Sequence, residues 1–412
     1  MAALSAGFSG EECISLHRVM IHDRGGVRKL DQLLDVAEVE YTRERDEVTG
    51  ARVVVAGRSC IGQRAFLLQI AAMRHEVVIY RGSERVWEGP ILEVRWFANR
   101  VELVAHDVVE YVDWTMLSKD WPNEDGGGQR YMTERIRDII TYELQTPYDA
   151  DVGSAGVPDV ITVPRWENLG TAPWDLATWG PPINVLPHLD VRASIGPQGI
   201  LTRSSTVAFE MTVGEHLRNL AEGGLDFTAV GRRLLIWDSA TSIGRTRQLT
   251  DADFYGELQV IASGTEHASL AHISAQRDDE AVEDPGSTDP SVGNAGAPDP
   301  VYGVWTRLVS LASEEGNDTP SQMELNSQAR RQLVGRNPVP TEIVVPQGGG
   351  LRLSHDLRIN ELVPGVIMPV RATLNLRPVS QDQRLDKVTV KEVPGSETVQ
   401  VSLSPAGLLE AV

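Results

Sequence analysis

Lysine is scarce in this chain: Lys29, Lys119, Lys387 and Lys391 are the only lysines among 38 basic residues, and the rest are arginine. A GC-rich coding sequence tends to produce that bias. Cysteine is almost absent. Cys13 and Cys60 cannot build a disulfide framework for 412 residues, and neither lies in a Cys-x-x-Cys motif. Both read as ordinary buried or half-buried thiols. No run of about 18 apolar residues occurs, and Met1 to Gly10 lacks a basic segment followed by an apolar core. Neither membrane insertion nor a secretion signal is expected. Positive charge is in deficit, with a formal net charge of −20. Nucleic-acid affinity comes mostly from Lys and Arg displacing counterions, so specific DNA binding is excluded, whereas an acidic channel wall would let DNA pass without sticking.

Catalytic signatures are missing as well. There is no Walker phosphate loop, Gly-x-Ser-x-Gly elbow or dinucleotide fingerprint. His75-Glu76 begins like a zinc-protease motif, but the second ligand position is Ile79. His17/His22 and His267/His272 are each five apart, an odd offset that sends two strand side chains to opposite faces. Asp278, Asp279, Glu280, Glu283 and Asp284 lack calcium-loop spacing and read as a solvated acidic run. Trp166, Trp174 and Trp179 read as packing or subunit-interface residues, the alternative being sugar stacking. No residue is assigned a catalytic, cofactor-binding or metal-binding role.

What is present is mostly β pattern, in a length that suits two to four domains of roughly 100–200 residues. Residues 13–57 read as extended, with Val39 and Tyr41 alternating with charged neighbours and a turn at Glu47 to Gly50. Residues 61–73 are apolar without a clear period. A meander follows over 75–108: Glu76 to Arg81, a Gly82-Ser83 turn, Trp87 to Trp96, and a strand placing Val101, Leu103 and Ala105 on one face.

Composition changes after Trp114. Met132, Ile136, Ile139, Ile140 and Leu144 have helical spacing. Residues 146–205 are rich in Pro and Gly and read as a long loop region or insertion. Thr212-Val213-Gly214-Glu215 is a capping box, so a helix starts there, with Leu217, Leu220 and Ala221 on its apolar face and Gly223-Gly224 as its stop. A hairpin pairs Leu225–Val230 with Leu234–Trp237 around Gly231-Arg232. Residues 278–300 are acidic and rich in Pro and Gly, a surface loop or linker that an assembly partner is expected to clamp. A second capping box, Ser321-Gln322-Met323-Glu324, opens a helix that stops at Gly335. The last strands carry Val388 and Val390, then Val399, Val401 and Leu403, joined at Pro394-Gly395-Ser396.

Taken together, several features resemble minor tail proteins of actinobacterial siphophages, whose fold is similar to the baseplate hub of contractile tails and the type VI secretion spike base. They are His75 to Tyr80 with Trp87-Glu88-Gly89-Pro90-Ile91, the strand ending near His106-Asp107, the capped helix at Thr212, Gly224-Leu225-Asp226-Phe227 with its hairpin, the helix at 321–334, Leu362-Val363-Pro364-Gly365 and the closing strand pair. The resemblance implies a mainly β (α+β) fold, with two tail-tube-like β-barrels and an insertion domain. The implied divisions are 1–115 for the first barrel, 116–211 for the insertion, 212–262 for the capped helix and hairpin returning to the first barrel, and 263–412 for the second barrel. It also implies a homotrimeric structural protein of the virion tail tip, assembled in the host cytoplasm and lining part of the DNA ejection channel. Its implied partners are a distal tail protein ring, the tape-measure protein and a central fibre or spike. Many such proteins carry long C-terminal extensions. Only nine residues follow Leu403 here, so a receptor-binding or cell-wall-degrading part is expected on another polypeptide. Two other classes remain open from the residues, a carbohydrate-binding protein and a cell-wall hydrolase.

Overall fold

Alternating apolar and polar residues become the strands of one large sheet. The computed structural model describes residues 14–23, 29–121, 130–145, 189–194, 201–202, 206–275, 292–311, 322–337, 340–346, 348–374, 377–406 and 410–411. Seven strands open the chain: β1 (His17–Asp23), β2 (Lys29–Gln32), β3 (Val36–Glu44), β4 (Gly50–Ala56), β5 (His75–Arg81), β6 (Glu84–Trp96) and β7 (Arg100–His106). The apolar stretch at 61–73 resolves into short helical turns, Gly57–Gly62 and Arg64–Leu67, with Leu67 and Ile70 reaching the core. On β7, Val101, Leu103 and Ala105 are buried as the alternation requires. Glu102 on the opposite face is neutralised by Arg52 and Arg100, each at 2.8 Å.

Next come α1 (Met132–Gln145), α2 (Val213–Glu222), β8 (Leu225–Val230) and β9 (Arg233–Asp238). The α1 side chains read as one face are all buried, and they pack with Leu217, Leu220, Phe227 and Ile236 into a second core. The α2 capping box forms as its sequence dictates: Glu215 N–H donates to Thr212 Oγ1 at 3.0 Å and Thr212 N–H to Glu215 Oε2 at 2.8 Å. Gly231 turns the hairpin at φ +59°, where most L side chains would be strained.

A smaller unit follows, with β10 (Leu270–Ala275), β11 (Val292–Gly296) and β12 (Thr306–Leu311) in one sheet, covered on one face by α3 (Gln322–Arg331). Its core is Ala271, Ile273, Leu325 and Ala329. Ser321 lies outside the described residues, and its capping box with it.

The chain closes with β13 (Ile367–Leu374), β14 (Arg377–Val393) and β15 (Ser396–Pro405). β14 pairs with β13, β15 and β3, with Val390 opposite Tyr41. The two strand-rich regions that the resemblance assigns to separate barrels therefore meet in one 11-stranded sheet. Its order is Leu249–Thr250, β13, β14, β3, β4, β7, β6, β5, β1, β2, with β15 on β14. Among the described residues this is an open path. Its main core runs from Val19, Val39 and Tyr41 through Trp87 and Leu103 to Val370, Val388 and Val401.

Buried arginines tie the layers together. Arg43, fully buried on β3, makes no ion pair among the described residues; its Nε donates to Val86 O at 3.1 Å, and Nη1 donates to Ile359 O at 3.0 Å and Leu362 O at 3.1 Å. Burial holds its pKa below the usual guanidinium value. Arg232, at the tip of the β8–β9 hairpin, reaches Glu76 on β5 and Glu88 on β6, both fully buried. Tyr111 Oη donates to Glu76 Oε1 at 2.7 Å, and Arg85 Nη1 to Glu88 Oε2 at 2.9 Å. Nearby, His22 lies opposite Glu76 across the β1–β5 pairing. Burial, then the positive charge of Arg85, lowers its pKa to about 4. Burial and Arg135 do the same to His216.

Removing one member of a buried charge group strands the others, which costs ~3–5 kcal/mol. Arg232→Met is expected to lose that much in denaturant unfolding, and Glu76→Gln with Glu88→Gln in the same chain to restore most of it. A second expectation concerns acid. The unfolded chain protonates these histidines near 6.5, but the folded chain only near 4. Their contribution to stability is therefore complete above about 6.5 and is lost as pH falls toward 4. His22→Gln and His216→Gln should each flatten the slope of unfolding free energy between pH 6.5 and 4, and an unchanged slope contradicts the assignment.

Candidate interaction surface

Between β11 and β12 the chain makes a tight loop whose polar groups are used internally. Asp299 Oδ1 accepts from the N–H groups of Val301 and Tyr302, both at 2.8 Å. Asp299 and Gly303 exchange backbone hydrogen bonds at 2.8 and 2.9 Å. The two N–H groups hold the Asp299 carboxyl below the usual carboxylate range. Trp305 Nε1 donates to Tyr302 O at 2.9 Å, and its backbone N–H to Ser269 Oγ at 3.0 Å. The His267 ring sits edge-on to Tyr302 and Trp305, with centroids 5.3 and 6.5 Å away.

A loop held this firmly has no polar reason to face water with apolar groups, yet it does. Val301 is 79% exposed, Tyr302 51%, Val304 58%, Trp305 55% and Leu308, on β12, 77%. Contiguous apolar side chains on a rigid support are the usual mark of a protein-binding surface, and aromatics contribute most of the energy when such surfaces close. Trp114, Met116, Val207 and Phe209 form a second exposed group. Two segments present it, linked by Phe209 N–H to Leu117 O at 2.9 Å and Leu117 N–H to Met211 O at 3.2 Å. Phe209 sits at φ +62°, a strained conformation for a bulky residue.

The residues singled out by sequence fare differently. Trp166, Trp174 and Trp179 lie outside the described residues, as do the carboxylates from Asp278 to Asp284, Cys13 and the Cys60 side chain. His75-Glu76 sits on strand β5, where Glu76 serves the Arg232 ion group and His75 Nδ1 accepts from Ala71 N–H at 2.8 Å. His17 bonds Glu392 at 2.6 Å, away from His22. His272 contacts Asn294, and His267 joins the aromatic loop. Among the described residues, no group of three or more His, Cys, Asp or Glu is placed to hold a metal. The loop's apolar group was missed by sequence reading because it follows the acidic linker. Its signal was Val301-Tyr302-Gly303-Val304-Trp305, too short for a periodicity argument.

Because these side chains already face solvent, Trp305→Ser with Leu308→Ser should leave the unfolding free energy within ~1 kcal/mol, whereas Leu325→Ala, beneath the same sheet, should cost ~2–5 kcal/mol. A large loss from the surface pair would mean that the loop is packed and not displayed.

No protein-family model and no curated protein matches the chain. Solved structures do match. The 43 kDa tail protein of prophage MuSo2 from Shewanella oneidensis superposes with a TM-score of 0.54 at 9% identity, covering 96% of this chain and all of that one. A prophage tail protein from Listeria monocytogenes gives 0.53 at 11% identity, over 94% of each chain. A tail protein from Neisseria meningitidis gives 0.52 at 11%, over 95% of this chain and 98% of its own. At such identities the likeness is one of fold, and this chain has, over nearly its whole length, the fold of prophage tail proteins.

Proposed function

We propose that the chain is the structural hub at the tip of a long, non-contractile phage tail, in phages of the actinobacterial type. The observation that carries this reading is the extent of the fold likeness: the match to tail proteins spans nearly all of this chain and nearly all of theirs. Two further features support it. Rigid apolar surfaces such as Tyr302, Trp305 and Leu308 suit a protein that works by assembly. The net charge of −20 suits a wall past which DNA must move.

On this reading three copies form a closed ring that adapts the hexameric distal tail ring to a threefold fibre or spike, with the tape-measure end inside. Residues 1–115 with 212–262 form the first tube-like barrel, 116–211 the insertion, and 263–412 the second barrel. Closed symmetry also covers sheet edges, which otherwise template aggregation. The chain contributes contacts and a passage and carries out no reaction.

Native mass measurement of isolated tail tips should find this chain in a multiple of three, and any other copy number contradicts the hub. In the same particles, Trp305→Ser with Leu308→Ser should reduce incorporation of the chain into tips while leaving the free protein folded.

A further inference from the structure

Where the hairpin, the small α3 sheet and β14 converge, a cavity of about 300 Å³ opens. Its walls include Arg45, Asp46, Asp226, Arg331 and Arg384. A water molecule takes roughly 30 Å³, so one water does not fill it. Two of its guanidinium groups are incompletely paired. Arg331, only 7% exposed at its side chain, forks onto Asp238 through Nε at 3.2 Å and Nη2 at 2.8 Å, but its buried Nη1 has no hydrogen-bond partner. Arg384, 12% exposed, is held only by long contacts: Nη1 donates to Ser239 O at 3.4 Å and lies 3.5 Å from Asp226 Oδ2, and Nε lies 3.6 Å from Asp386 Oδ1. Its Nε is likewise buried and unbonded.

Buried guanidinium donors are costly to leave open, and two lining one cavity define an anion site. The acceptor side is also specific. Asp226 gives Oδ1 to Arg45 Nη1 at 3.0 Å, while its Oδ2 is buried with no hydrogen bond. A ligand here must accept from two arginines and also donate to a carboxylate. Phosphate at neutral pH keeps an O–H for that purpose, whereas sulfate has none. Burial, then the neighbouring Asp226, pushes the Asp46 carboxyl above the usual carboxylate range.

We propose that this cavity binds one hydrogen phosphate ion, its oxygens accepting from Arg331 and Arg384 and its O–H donating to Asp226. The bound ion would join the α3 unit to the hairpin and to β14. Gly224, at φ +111°, makes room for this arrangement, because a Cβ there would lie 2.1 Å from Arg331 Cδ.

Isothermal titration of the full chain at pH 7 tests it, with sodium phosphate and sodium sulfate each added at matched ionic strength in chloride. Saturable binding of one phosphate is expected, at least about tenfold tighter than sulfate. Arg331→Gln should weaken phosphate by about tenfold or more, with Arg384→Gln taking its place if that variant does not fold. Asp226→Asn, whose amide can donate to sulfate, should close the gap between the two ions. Absence of saturable phosphate binding, equal affinity for phosphate and sulfate, or full phosphate affinity in the arginine variant overturns the proposal.

Discussion

The contact on which the rest of the molecule depends is Arg232 between Glu76 and Glu88. Two carboxylates on neighbouring strands, both removed from water, would repel each other and tear at the β5–β6 pairing if left alone. One guanidinium answers both, and it arrives from a hairpin about 150 residues away in the chain. The large sheet is therefore completed electrostatically by the second core. The hairpin, in turn, is fixed in place because its turn residue is committed to the sheet.

The same economy explains why arginine serves where lysine does not. Arg43 serves three backbone carbonyls from one planar group, which an ammonium on a flexible stem does poorly. Arg45 bridges Asp46, Asp226 and Asp386 at about the same distance, joining β3, β8 and β14. The four lysines are set outside these buried positions. Lys387 and Lys391 lie half-exposed on β14 and pair with Glu44, Glu38 and Glu40 across the β3 pairing.

Local elements were legible where the signal was local. The capping box at Thr212, the face from Met132 to Leu144 and the hairpin around Gly231 needed only short-range rules, and each formed as read. The alternation at Val388 and Val390 showed a strand, but nothing in it showed that its partner is β3, more than 340 residues earlier. Pairing of that kind depends on register and burial across the whole sheet, which no local pattern carries. Arg232 was seen only as a turn residue and Glu76 only as half of a failed metal motif. Their meeting is a tertiary fact. The apolar loop at Val301 to Trp305 was hidden for a different reason: exposure is not written in a residue's type.

If the buried arginine welds hairpin and sheet into one body, both should open together. Native-state hydrogen exchange reports this directly, residue by residue. The account predicts that the slowest amides of β8 and β9 exchange with the same opening free energy as those of β5 and β6, and with the same response to denaturant. A hairpin that opens at a much lower free energy, while the sheet stays closed, would contradict it.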